Sequence, residues 1–199
     1  MVIVDSSVTH PHPSRRLRWV TIVLLCVVAA ALLATACGQK PAPPRQTSRL
    51  IGQTFPAASA RDLDKHVQHI PADYAGAPIL ILVTPSKGSQ PDADRWIAYL
   101  RARPTVRFRE IPVIPSVIAR AMQGFINGKM RDGLPKDMWT RVVPLYKDGG
   151  RVKRFFGGYG DQVAWAMVLD SAGAIRWFHA AGYTAGTAAD AVRAYRDLE

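Results

Sequence analysis

The sequence PILILVTP, residues 78–85, places five consecutive apolar side chains between two prolines. The run does not alternate between apolar and polar residues, so it does not fit a strand with one face in water. Its length and its content of isoleucine, leucine and valine fit a strand that is covered on both faces. We therefore predict that Ile79–Val83 forms the central strand of a sheet.

The residues after this run predict an amphipathic helix. Pro91 is a favoured first helical position, and Asp92 and Asp94 place negative charge in the first turn, where the helix dipole favours it. One buried stripe is predicted at helical spacing, formed by Ala93, Trp96, Ile97 and Leu100. Pro104 ends the helix.

A second strand and a second helix are predicted next. The strand covers 106–113 and places Glu110 on the same face as Val106 and Phe108. Ser116 can cap the helix that follows. Apolar side chains repeat the helical spacing there, at Ile118, Ala121, Met122 and Phe125.

The remaining segments complete an α/β pattern. Residues 65–70 predict an edge strand, 142–146 a short extended piece, and 163–179 a β-hairpin with turn residues between its strands. Thr187 and Asp190 have capping-box spacing at the start of a last helix. The apolar face of that helix holds Ala188, Ala191, Val192, Tyr195 and Leu198. This order predicts a mixed sheet with helices on both faces.

The predicted order of elements resembles that of thioredoxin-like proteins. In that family the central strand runs into a loop that carries Cys-x-x-Cys at the start of the next helix, and a proline precedes the hairpin. Here the loop 84–90, TPSKGSQ, has no cysteine, and Gln162 and Val163 stand in the region of the proline. The resemblance implies the fold, and the two departures argue against oxidoreductase activity.

A narrower resemblance covers residues 108–182. The positions that carry it are IPVIP at 111–115, Met130-Arg131, Pro135, Trp139, Leu145-Tyr146, Leu169-Asp170, Gly173 and Arg176-Trp177. These positions are similar to those of mitochondrial ATP synthase assembly factors, which are thioredoxin-like proteins without the redox cysteines and act as chaperones for a membrane subunit. The resemblance implies a partner that belongs to a membrane complex.

The N-terminal segment resembles the signal of a bacterial lipoprotein. Three arginines between residues 15 and 18 precede an apolar stretch, 19–33. LATAC at 33–37 resembles a lipobox, in which cleavage leaves an acylated cysteine. The resemblance implies a signal peptide over 1–36, a lipidated Cys37 with a proline-rich tether over 37–48, and a thioredoxin-like domain over 49–199. An uncleaved membrane anchor is the alternative.

The predicted location and charge indicate which class of partner the domain binds, and its cysteine content bears on thiol chemistry. Both versions of the N-terminal segment place the domain on the extracytoplasmic, periplasmic side of the bacterial cell envelope. Removing residues 1–36 leaves 23 Lys and Arg against 14 Asp and Glu, a net charge of +9. At this location the charge favours anionic lipid headgroups or acidic faces of membrane proteins over nucleic acid. Cys26 would be removed and Cys37 acylated, so the mature domain would have no free thiol.

Arg120, Asn127 and Arg131 are the first candidate binding site. Their separations of seven and four positions place them on one face of a continuous helix, opposite the apolar residues. The planar fork of arginine suits carboxylates, so this face can dock an acidic partner or a carboxylate. An ordinary solvated helix face is the alternative.

Ser86, Lys87 and Ser89 are the second candidate site. They lie between the central strand and a helix start, where backbone N–H groups can hold a small anion. A solvated turn is the alternative. His66 and His69 point to opposite faces of a strand, so no metal site is predicted there.

These patterns predict a binding domain in a lipid-anchored envelope protein, with no enzymatic activity and no cofactor. Its expected partners are the membrane, through the lipid anchor, and a protein of a membrane complex. The domain would assist the assembly or the quality control of that complex. The runner-up is a small-anion-binding or enzymatic domain that uses the Ser86–Ser89 loop. A third hypothesis keeps redox chemistry through an uncleaved and unacylated Cys37.

Overall fold

The computed structural model describes residues 47–199. The predicted signal peptide, Cys37 and nearly all of the tether lie outside these residues. The helices are α1 (Thr47–Leu50), α2 (Gln90–Arg101), α3 (Val117–Ala121), α4 (Gln123–Asp132), α5 (Lys136–Trp139), α6 (Gly149–Phe155) and α7 (Ala185–Arg196). The strands are β1 (Ala58–Arg61), β2 (Val67–Ile70), β3 (Ile79–Thr84), β4 (Phe108–Pro112), β5 (Trp165–Leu169) and β6 (Ile175–His179). Among the helices of residues 47–199, none has the length and hydropathy that crossing a bilayer requires.

Strand β3 lies at the centre of the main sheet, as the PILILVTP run predicts. All six of its residues are buried. It pairs in parallel with β4, with Leu80 opposite Phe108, and antiparallel with β5, with Leu82 opposite Ala166. The strand order is β4-β3-β5-β6, a mixed sheet.

Helices cover both faces of this sheet. The even-numbered residues of β3, Leu80 and Leu82, share a buried cluster with α2 and α7, and this cluster includes the predicted stripe of α2. The odd-numbered residues share a second cluster with Val152 of α6 and with Phe156. The two clusters explain why the central strand is apolar at every position.

The edges of the sheet show what the sequence pattern missed. Residues 142–145 run parallel to β4 through isolated bridges, so the predicted extended piece covers that edge. The predicted edge strand 65–70 corresponds to β2, which joins no main-sheet strand and pairs antiparallel with β1. Strand β1 is not predictable from the sequence pattern, because its four residues, ASAR, have no apolar periodicity.

The cap of the last helix lies three residues earlier than predicted. The capping box consists of Thr184 and Thr187, whose hydroxyls each accept the other's backbone N–H at 3.0 Å. The Thr187–Asp190 prediction was wrong, because Thr184 already has the extended backbone of a cap and threonine can act at both ends of the box.

Helices α3 and α4 form a bent pair, hereafter the α3–α4 arm. Ser116 caps α3 as predicted, since its Oγ accepts the N–H of Ala119 at 3.3 Å. The helix breaks at Met122 and continues as α4. No residue of either helix is buried. The apolar spacing that is buried in α2 is therefore solvent-facing in the arm.

Candidate functional site

A groove of about 520 Å³ lies between the β1–β2 hairpin and the α3–α4 arm. The walls come from the hairpin, the inner face of the arm and the segment after the 142–145 piece. Five cationic side chains line it, namely Arg61, Lys65, Arg120, Arg131 and Lys147. We call this feature the basic groove.

The three residues of the first candidate site lie together in the basic groove. The hydroxyl of Tyr146 donates to Oδ1 of Asn127 at 2.7 Å, and Nη1 of Arg131 donates to the carbonyl of Leu63 at 3.2 Å. These two bonds tie the arm to the body of the domain. Arg120 lines the same cavity, so the structure brings the three residues together, although the continuous helix that their spacing assumed breaks at Met122.

The positive charge of the groove is not neutralised from within the described residues. None of its five cations forms an ion pair with a carboxylate there. The carboxylate in the wall belongs to Asp62, which is 2% exposed. Its oxygens accept the backbone N–H of His66 at 2.9 Å and the amide of Gln68 at 3.1 Å. The groove therefore offers several cations to an anionic group that enters it.

Burial raises the pKa of Tyr146 to about 12. The phenol therefore stays protonated at neutral pH and remains a donor to Asn127. A neutral donor here orients the amide of Asn127, a residue that lines the groove.

In the second candidate site, most polar groups already have partners. Oγ of Ser86 donates to the carbonyl of Asp161 at 2.6 Å and accepts the N–H of Gly88 at 3.1 Å. Oγ of Ser89 donates to the carbonyl of Ser86 at 2.7 Å, and Ser89 is fully buried. A Cβ on Gly88 would lie 2.5 Å from Oε1 of Gln162, so the loop packs against the side chain of Gln162 in the segment before β5. This geometry gives no support to anion binding at Ser86, Lys87 and Ser89, which stays a prediction.

No family model matches the sequence, and neither does a curated protein. Solved structures do match its fold. A candidate thiol:disulfide interchange protein DsbE from Chlorobium tepidum aligns with a TM-score of 0.51 at 14% identity, over 74% of this chain and 96% of that one. The thioredoxin domain of a thiol-disulfide oxidoreductase from Bacteroides vulgatus aligns with a TM-score of 0.51 at 14% identity, over 75% of this chain and 98% of that one. The fold is thioredoxin-like.

The thioredoxin-like fold was predicted from the order of elements, and the likeness confirms it. At 14% identity the likeness concerns the fold alone. In this thioredoxin-like domain, Ser86 and Ser89 occupy the loop between β3 and α2 at the spacing of Cys-x-x-Cys. Cys26 and Cys37, the two cysteines of the sequence, both precede the domain.

Asp92 joins three parts of the thioredoxin-like domain. It is 4% exposed and lies in the first turn of α2. Oδ1 accepts the backbone N–H of Tyr183 at 2.8 Å and Nη2 of Arg95 at 2.7 Å, and Oδ2 accepts the N–H of Ala164 at 3.1 Å. This carboxylate therefore ties α2 to the segments that lead into β5 and α7. The sequence pattern alone predicts only that Asp92 lies favourably in the helix dipole.

Glu110 of β4 is a buried carboxyl group that contacts both ends of the 84–90 loop. It is 2% exposed, and its Oε1 accepts the hydroxyl of Thr84 at 3.0 Å and the amide of Gln90 at 3.1 Å. Burial raises the pKa of Glu110, and the two hydrogen bonds only partly oppose that effect. Ionisation of this group therefore works against the folded state.

We expect E110Q to stabilise the domain at alkaline pH and to leave its stability unchanged at acidic pH. A raised folded pKa means that the contribution of Glu110 is complete below its unfolded pKa and is lost as pH rises through the folded pKa. Glutamine keeps an oxygen that can accept both bonds and has no proton to lose. Urea unfolding from about pH 4 to about pH 8 measures the difference. Asp190→Asn, at an exposed helix position, is the control, and a parallel gain for E110Q at every pH would contradict the prediction.

The histidines of the β1–β2 hairpin make no shared site. Nδ1 of His66 lies 3.4 Å from Asp62, whereas His69 uses its backbone N–H to bond Asp73. Within residues 47–199, no group of three potential metal-ligating side chains converges.

Sequence reasoning missed three of the five cations of the basic groove. Arg61, Lys65 and Lys147 come from a short hairpin and a loop, which have no periodicity that would place their side chains. Only the helical spacing of Arg120, Asn127 and Arg131 was readable. No sequence signal of this kind exists for Arg61, Lys65 and Lys147, because their positions depend on how the hairpin packs against the arm.

Proposed function

We propose that this protein is a lipid-anchored component of the bacterial envelope whose thioredoxin-like domain binds an acidic segment of a membrane protein and assists its assembly or quality control. The observation that carries the proposal is the basic groove, with five cations and no ion pair to neutralise them within the described residues. Arginine side chains on a partly fixed helix face suit the carboxylates of such a segment.

The N-terminal sequence supports the proposed anchor. An apolar stretch after three arginines and a lipobox-like LATAC sequence support export and acylation at Cys37. Several acyl chains would hold the protein on the membrane without a spanning helix. The partner would then be encountered at the membrane surface.

We propose that the domain acts by binding and not by turnover. The loop that carries thiols in thioredoxin-like oxidoreductases here holds Ser86 and Ser89, and both hydroxyls are engaged by neighbouring groups. The groove has cations and amides but no paired nucleophile and base. Binding of an acidic chain needs only the cations and the amides.

In-cell crosslinking of the full-length chain, followed by mass spectrometry of the attached proteins, tests this function. We expect one membrane-complex subunit to dominate, with the crosslinks mapping to the walls of the basic groove. A variant with Lys87→Ala, which changes the loop and not the groove, should recover the same subunit. No enriched partner, together with thermal stabilisation by phosphate that is lost in the Lys87→Ala variant, would favour the small-anion alternative.

A further inference from the structure

The outer face of the α3–α4 arm carries most of the exposed large apolar side chains of the described residues. Six such side chains are exposed within residues 47–199. Four of the six belong to the nine-residue span 117–125 of the arm. Val117 and Ile118 are each 73% exposed, Phe125 is 63% exposed and Met122 is 48% exposed. We call these four residues the apolar stripe. Their concentration on one element is unlike the scattered single exposures of ordinary surfaces.

We propose that the apolar stripe lies in the interface of an anionic lipid bilayer. The proposal rests on the membrane anchor of the proposed function, which brings the domain to that surface. An interfacial helix combines large apolar side chains on one face with lysine and arginine beside them. The arm has this combination, and its one acidic residue is Asp132, at its end.

Cations border the apolar stripe in the arrangement that a bilayer surface favours. Nζ of Lys129 lies 6.0 Å from the ring centroid of Phe125, one turn along the helix, and 3.5 Å from Oδ2 of Asp132 in an exposed ion pair. Its long stem allows the ammonium to reach headgroups while Phe125 lies among acyl chains. Residues 49–199 carry 21 Lys and Arg against 14 Asp and Glu. An anionic surface attracts such a domain.

The shape of the surface also favours a bilayer over a protein helix. The basic groove opens on the inner face of the arm, and its lining includes no residue of the apolar stripe. The four side chains of the stripe therefore lie outside the basic groove, and each is 48% to 73% exposed. A peptide helix that binds by its apolar face uses a hydrophobic groove, whereas exposed apolar side chains on a helix can enter a fluid surface.

The chain between the predicted anchor and the domain is short enough to keep the domain near the membrane and long enough for the stripe to reach it. Ten residue steps separate Cys37 from Thr47, and their fully extended length is about 35 Å. A domain of this size has a radius of gyration of about 15 Å. Any face can therefore reach the bilayer, and tethering at this distance lets a weak contact persist. Docking through the stripe would hold the basic groove beside the membrane surface.

Amide hydrogen exchange of the full-length chain in vesicles tests the proposal. The chain is reconstituted in phosphatidylcholine vesicles with and without phosphatidylglycerol. We expect the amides of residues 117–126 to exchange roughly tenfold more slowly when phosphatidylglycerol is present. The double variant I118D and F125D should lose this protection, since both side chains are exposed and neither is needed for the fold. Ile51→Asp, at an apolar residue that is 44% exposed elsewhere, should keep it.

Three outcomes would overturn the inference. Equal exchange in the two kinds of vesicle would do so, as would protection that survives in the double variant. Protection that needs an added membrane-protein partner would identify the stripe as a protein-docking surface. Vesicle flotation separates the two proposals, because a chain that floats without protection fails only this inference. A chain that floats with neither vesicle fails both the anchor and the stripe.

Discussion

Reversing two charges in the basic groove, by R120E and R131E together, is expected to reduce recovery of the crosslinked partner about a hundredfold. A hydrogen bond to a charged group contributes roughly 1.5 to 3 kcal/mol, so removing two and adding repulsion weakens binding by about 3 kcal/mol or more. Quantitative mass spectrometry of the crosslinked subunit measures the change. Both residues lie on the inner face of the arm, where an acidic segment would contact them together.

Arg131 also has a structural bond, so this variant needs a matched pair. Its Nη1 donates to the carbonyl of Leu63, and its loss can loosen the arm. R120E with K147E makes the same charge change at two groove residues without that bond. K153E with R154E makes it on α6, away from the groove, and should leave recovery unchanged. Full recovery by both groove variants would refute binding of an acidic partner at this groove.

Asp92→Asn is expected to destabilise the domain by about 3 kcal/mol and to lower its melting temperature by about 10 °C. The carboxylate accepts three hydrogen bonds, two of them from backbone N–H groups of Ala164 and Tyr183. An asparagine of the same shape turns one accepting oxygen into a donor, which must face another donor in a buried place. Calorimetry and urea unfolding of the full chain measure both quantities.

Asp190→Asn is the control for this effect. Asp190 forms an ion pair with Arg193 on the exposed face of α7, with side chains that are 54% and 71% exposed. Such pairs contribute at most about 1 kcal/mol, so the control should unfold close to the wild type. Equal stability of the two variants would show that Asp92 does not tie the three segments together.

The fold was largely readable from the sequence because its signals are periodic or continuous. The structure contains the buried central strand that the PILILVTP run predicts and the buried stripe predicted for α2. It also contains the predicted hairpin, whose first strand is β5. The short β1 and the position of the α7 cap were missed or misplaced. Those features depend on hydrogen bonds between a few residues, which leave no periodic trace.

The candidate site was readable only in part because its orientation depends on tertiary contacts. The spacing of Arg120, Asn127 and Arg131 fixes a shared face but not the direction in which that face points. The bond from Tyr146 to Asn127 turns the polar face inward, and the apolar residues are thereby left outside. Periodicity alone favours the opposite orientation, with the apolar residues toward the core. An inverted helix of this kind can be recognised only from the structure.

The serines of the closed loop have a consequence for the behaviour of the protein under oxidative stress. A pair of thiols at Ser86 and Ser89 could give up two electrons and form a bond, so that the domain would exist in two covalent forms. Alcohols do not do this. Both side chains keep the same hydrogen bonds whatever the supply of oxidants. The partner binding that we propose for the basic groove would therefore not depend on a redox change in this loop.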